Sequence, residues 1–317
     1  MRAMDSKWIL GVLVLLAAII AAGPVHATPG ECHRTILLSA RRVAKLRIRA
    51  LQKCEENIVK GKAGFPPGYD CETDPTVQMR IAGVEDTFRR AVQSVCGGKN
   101  KVCNAADTGK DADESLASIG WDIGSCPGFE GSGCTNAIAD CNDIADCLFC
   151  VGHAAEAQTV ALFYGALNLP AGDRGLTKCQ QTIGDRGVFF YRKKLEALQI
   201  CEKRVLSGNI PGPCPGADAT KATIKLLAKV NAKICAKCGG HDKACGGGDD
   251  RTLVEIGFIG MCPNVTIPGG SSCGGAITSL ADIVACVSCV TEFKVDCLDA
   301  LAASGIKPYP PECLAVP

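Results

Sequence analysis

From Cys32 onward the apolar positions Ile36, Val43, Ala50, Leu51, Cys54 and Ile58 recur at helical steps, uninterrupted by proline or glycine. This pattern predicts a helix over about 32–60, with a match over about 179–207. Gly61 and Gly208 end both at the same register. Pro66-Pro67-Gly68 and Pro211-Gly212-Pro213 then turn the chain. A second helix begins at Asp74-Pro75, a cap followed by proline at the first helical position, and its partner begins near Asp218 or Thr220. Each runs to a Gly-Gly pair. A short third helix is expected after Asp113 and after Asp250, and a fourth over about 136–167 and 276–303. Leu169 to Gly175 reads as a linker, and β-strand signals are sparse.

Residues 32–168 laid over 179–304 align nine cysteines. Cys32, Cys54, Cys71, Cys96 and Cys103 match Cys179, Cys201, Cys214, Cys238 and Cys245. Cys126, Cys134, Cys147 and Cys150 match Cys262, Cys273, Cys286 and Cys289. The 22-residue step of the first pair and the seven-residue step from Cys96 or Cys238 are each repeated. The steps of 13 and 3 that join the last three cysteines are repeated too. GGKNKVC at 97–103 matches GGHDKAC at 239–245, and Ile119-Gly120-Trp121 matches Ile256-Gly257-Phe258. The expected architecture is all-α, with two tandem copies of a disulfide-stapled bundle of about four helices, over 28–168 and 169–317.

The start of the chain reads differently. Arg2 and Lys7 precede an apolar run from Trp8 to Ala22. Gly23-Pro24 breaks that run, and Val25-His26-Ala27 offers the small residues of a cleavage site, so 1–27 reads as a signal peptide. The run is shorter than the roughly 20 residues of a membrane span, and no other run is long enough. All 22 cysteines lie beyond it, an even number that predicts disulfides in an oxidising compartment, secreted or periplasmic. Arg2, Lys7 and Asp5 leave with the leader, so the remainder carries equal numbers of basic and acidic side chains. That balance argues against a nucleic-acid partner. A hydrophobic content of 47% argues against disorder.

Twenty-two residues of helix make about six turns, which places Cys32 and Cys54 on nearly one face. A second helix returning antiparallel would carry Cys71 and Cys96 at matching heights. The expected bonds are Cys32–Cys96 and Cys54–Cys71, with Cys179–Cys238 and Cys201–Cys214 in the second copy. Parity extends the scheme. The first copy adds Cys141, and the second adds Cys235, Cys297 and Cys313, so each copy can close internally. Cys235 and Cys297, both absent from the first copy, are expected to pair. Cys313 would then take the partner that Cys141 takes.

Few residues point to chemistry. Cys147/Cys150, Cys235/Cys238 and Cys286/Cys289 have C-x-x-C spacing, which can hold zinc or a redox dithiol. Gln93 stands where Cys235 would be in the first copy, and an exported chain favours disulfides. Haem attachment needs a histidine next, but Val151, Gly239 and Val290 follow. His33, His153 and His241 form no H-E-x-x-H motif. Asp107, Asp111, Asp113 and Glu114 lack the EF-hand order, and Asp113 and Asp250 read as helix caps. Further acids are Asp140, Asp143, Asp146 and Asp249. Arg41, Lys45, Arg49 and Lys53 form a basic stripe, expected to be solvated or to face Asp140, Asp143 and Asp146. Asn264-Val265-Thr266 is a glycosylation sequon, relevant in a eukaryotic secretory pathway. No catalytic, cofactor or metal residues are assigned.

The leader, a long helix closed by Ala-Leu-Gln-x-Cys, the Gly-Gly turn and Asp-Ile-x-x-Cys-x-x-Cys at 143–150 and 282–289 occur together. In these the chain resembles uncharacterised secreted cysteine-rich repeat proteins of environmental bacteria. That resemblance implies neither activity nor cofactor. Saposin-like, lipid-transfer and secreted phospholipase families are also helical and disulfide-rich, but their adjacent-cysteine or catalytic-histidine motifs are missing here. The expected role is a secreted disulfide-stabilised helical scaffold or binding protein with a protein or cell-envelope partner. The alternatives are a small apolar ligand or lipid held between helices, and a thiol-redox or metal-dependent enzyme.

Overall fold

A computed structural model describes residues 28–315. The leader expected over 1–27 lies outside the described residues. Seven α-helices dominate: α1 (Pro29–Val59), α2 (Pro75–Cys96), α3 (Cys141–Tyr164), α4 (Arg174–Leu206), α5 (Ala217–Cys238), α6 (Leu253–Ile256) and α7 (Leu280–Ala302). The only sheet among the described residues is a two-residue antiparallel hairpin, β1 (Met261–Cys262) with β2 (Gly275–Ala276).

Local chemistry sets the helix starts. Thr28 and Glu31 form a capping box ahead of α1, and Asp74 accepts from the Thr76 and Val77 amides before Pro75 opens α2. Asp140 with Asp143, and Ser279 with Asp282, cap α3 and α7. These boxes explain why both helices begin later than their apolar patterns suggest. Asp113 and Asp250 are not caps. Asp113 accepts the Asn104 amide at 3.1 Å, Asp250 accepts that of Gly246 at 2.8 Å, and Thr252 caps α6. Only the second half forms the short third helix. The first half has turns there and a 3-10 turn at Gly109–Asp111.

Two antiparallel hairpins form the frame. Cys32–Cys96 and Cys54–Cys71 tie α1 to α2 at either end, and Cys179–Cys238 and Cys201–Cys214 tie α4 to α5. The long loops are clipped onto the first turns of α3 by Cys103–Cys141, Cys126–Cys147 and Cys134–Cys150. On α7, Cys262–Cys286 and Cys273–Cys289 do the same. The pairing of Cys235 with Cys297 does not occur. Cys235 bonds Cys245, ten residues on, because the turn at Gly239-Gly240 brings the chain straight back over the end of α5. Cys297 instead bonds Cys313, so Cys313 does not take the partner that Cys141 takes. In the first half Gln93 occupies the α2 position and donates to Asn142 at 2.9 Å, which leaves Cys103 to bond Cys141.

The halves are not separate bundles. α1 packs on α4 and α3, and α7 packs on α4 and α3, so these four helices share one apolar core. α2 and α5 are outer arms. Gly184 and Gly187 let α4 approach the end of α3 closely. A Cβ at these positions would lie 2.1 Å from Tyr164 and 2.5 Å from Phe163. The segment after α7 crosses back to the first half. Ser304 donates to the Gly120 carbonyl at 2.6 Å, Tyr309 donates to that of Gly128 at 3.2 Å, and the Glu130 amide donates to that of Cys313 at 3.0 Å.

Candidate functional site

The four central helices carry charged side chains on their buried faces. On α1, Arg47 lies between Ala44 and Ile48 and meets Glu156 of α3, with Nε to Oε2 at 3.2 Å. Tyr191 of α4 donates to the other Glu156 oxygen at 3.1 Å. Burial pushes the Glu156 carboxyl up to about 8 against the pull of Arg47, and pushes the Tyr191 phenol up as well. On α4, Lys194 reaches Glu292 and Asp296 of α7, each at 2.7 Å. Arg47 and Lys194 each stand fifteen residues after the first cysteine of their helix.

Two more lysines complete the network. Lys294 of α7 pairs with Glu130, whose carboxylate is fully buried, donates to Gln158, and sits over the Phe129 ring at 4.9 Å. Burial lowers its ammonium. Lys307, from the segment after α7, lies between Glu202 at 2.8 Å and Asp299 at 2.7 Å. Both of those carboxylates are fully buried, and their charges hold the Lys307 ammonium above its ordinary value despite burial. Each buried cation thus meets a carboxylate on another element, which is what removal from water demands.

Arg47, Glu156, Gln199 and His153 line a cavity of about 30 Å³ whose other walls include Val43, Phe149 and Leu298. That volume admits a water or two. His153 is taken up by Glu85, with Nε2 to Oε1 at 2.5 Å. His33 is buried, which lowers its imidazole to about 4, and His241 is exposed.

A wider cleft of about 400 Å³ opens beside the Cys54–Cys71 bond. Leu51, Val160, Ala157 and Ala161 form its apolar walls, and Glu55, Asp70, Glu72, Tyr69 and Gln158 its polar ones. Glu55 follows Cys54 directly, as Glu202 follows Cys201. Burial first and Asp70 second push the Glu55 carboxyl up to about 7. Among the described residues no cation lies within ion-pair distance of Glu55.

The residues singled out from sequence are used structurally. None of the three C-x-x-C pairs closes on itself: their six cysteines bond six others, and no thiol is free. Asp242, Asp249 and Asp250 bring their carboxylates together in an exposed loop, where they accept the Ala244, His241 and Gly246 amides. The basic stripe does not face Asp140, Asp143 and Asp146. Lys45 lies 3.7 Å from Glu196 of α4, Asp146 pairs with Arg89 of α2, and Asp140 and Asp143 cap α3. Sequence reading missed Arg47, Glu156, Lys194, Glu202, Lys294 and Lys307. A usable signal existed for two of them, because Arg47 and Lys194 place a cation at one register of two matching apolar faces. The chain matches no family model, and no curated protein or solved structure is significantly similar to it.

Proposed function

We propose that the protein is a non-catalytic, disulfide-locked helical scaffold of an oxidising compartment. It would work by binding a protein or cell-envelope partner through its surface. The observation that carries this reading is the commitment of every cysteine to a disulfide. No thiolate remains for redox exchange or for a metal. The buried ionisable groups point the same way, since their partners are other side chains of the frame and their cavity admits only a water or two.

The proposal includes descent of both halves from one unit and a likeness to secreted cysteine-rich repeat proteins. Equivalent pairing supports the first point: Cys32–Cys96 and Cys54–Cys71 in one hairpin join the same aligned positions as Cys179–Cys238 and Cys201–Cys214 in the other. Export through a leader over 1–27 is also part of the reading, supported by the eleven disulfides.

The test is a thiol count on denatured, unreduced protein isolated from the exported fraction, with metal analysis alongside. A count near zero without stoichiometric metal is expected. Reproducible free or metal-bound thiols, or retention of the folded protein in the cytoplasm, would overturn the reading.

A further inference from the structure

The two clefts beside the inner disulfides have the same framework and different contents. Leu51, Cys71, Ala157 and Ala161 line the first; Leu198, Cys214, Asp296 and Ala300 hold the corresponding places in the second. In the second, the segment after α7 lies over the cleft, with Lys307 and Pro310 in its wall and the Lys307 ammonium on Glu202 and Asp299. In the first, α3 ends at Tyr164 and the chain leaves toward α4, so no segment of this kind covers Glu55.

We propose that the cleft at Glu55 docks an extended polypeptide segment of a partner protein, seating a lysine ammonium on the Glu55 carboxylate. The inference rests on the reading of the chain as two related halves. Charge complementarity fits the occupant. Asp70 and Glu72 stand beside Glu55 at the cleft wall, and Tyr69 donates to Asp74 at 2.9 Å just behind. Two cations face the region, and both have carboxylates of their own. Arg47 lies on Glu156 and 3.7 Å from Glu72, and Lys294 lies behind Gln158 on Glu130. Val160 replaces the acid that Asp299 supplies in the second half, so the loop acids take over the role of second carboxylate. The apolar walls would take the aliphatic stem of the lysine and its flanking residues. An arriving ammonium favours the ionised form of Glu55, so binding tightens as pH rises through neutrality.

The probe is a synthetic peptide of residues 304–312 of this chain, which presents Lys307 in its native surroundings. Its binding to the intact oxidised protein is followed by fluorescence anisotropy. Saturable binding is expected, weakened at least about tenfold by acetylating the peptide lysine and by Glu55→Gln in the protein. Acetylation alters only the ligand, so that arm does not depend on how the variant folds. Absent binding overturns the inference, and so does binding indifferent to acetylation or to Glu55→Gln. Non-reducing peptide mapping judges the underlying reading separately. If Cys54–Cys71 and Cys201–Cys214 are both found and the peptide does not bind, the docking inference fails alone. If either bond is missing, both fall.

Discussion

Arg47 and Glu156 form an ion pair across the α1–α3 contact, Nε to Oε2 at 3.2 Å, with side chains 6% and 1% exposed. The pair is chemically asymmetric. Glu156 can shed its charge by taking a proton, whereas a guanidinium stays charged at any working pH. Glu156→Leu therefore takes the nearest buried oxygen from a guanidinium that keeps only the half-exposed Glu72, 3.7 Å away, and is expected to cost about 1–3 kcal/mol at pH 6. Arg47→Leu should cost clearly less at pH 6, where the orphaned acid is neutral. Chemical denaturation of both variants checks the order, and equal losses would remove the argument.

The same carboxyl sets a pH dependence. Glu156 and Glu55 hold their protons to about 8 and about 7 in the folded protein, but release them near 4.5 when unfolded. Between those values the folded state binds more protons, so stability falls as pH rises. His33, lowered to about 4, acts in the opposite direction, but its effect is complete once the pH passes 6.5. Stability should thus decline by on the order of 2 kcal/mol from pH 6.5 to about 8.5. Denaturant melts across that range test this, and Glu156→Gln should flatten most of the slope.

Lys307 separates two fully buried acids, Glu202 and Asp299. Lys307→Met leaves them facing each other, with an expected loss of about 3–5 kcal/mol at pH 8. At pH 5 protonation relieves the repulsion, and burial already holds Asp299 at about 6. The loss should shrink accordingly. A loss independent of pH would mean that the ammonium contributes packing rather than charge.

The disulfides differ in the loops they close. Cys32–Cys96 spans 64 residues and Cys235–Cys245 spans 10. Chain entropy predicts that Cys32→Ala/Cys96→Ala costs about 1.6 kcal/mol more than Cys235→Ala/Cys245→Ala. Equilibrium unfolding of the two double variants measures the difference.

Gly187 lies mid-helix in α4, where alanine would ordinarily gain about 1 kcal/mol. Here its Cβ would come within 2.5 Å of the Phe163 ring. Overpacking of this kind costs about 1–3 kcal/mol, so Gly187→Ala should lower the melting temperature. A rise would show that Phe163 moves aside without penalty.

Short-range chemistry was legible in the sequence. Apolar periodicity places α1 and α4, and Asp74-Pro75 opens α2 where a cap and a first-position proline should. Helical geometry brings Cys32 opposite Cys96 and Cys54 opposite Cys71, because two antiparallel rods permit few pairings. Tertiary structure decided the rest. The bond from Cys235 to Cys245 depends on a local reversal after α5, and that of Cys297 to Cys313 on where the final segment lies. Neither position follows from spacing. The buried charges were hidden for a similar reason, since a cation within an apolar face is tolerable only if a distant helix brings an acid to it. Arg47 needs α3 and Lys194 needs α7, and periodicity within one helix carries no record of its neighbour. That Glu202 meets a lysine while Glu55 meets no cation among the described residues arises in the same way, from where the segment after α7 carries Lys307.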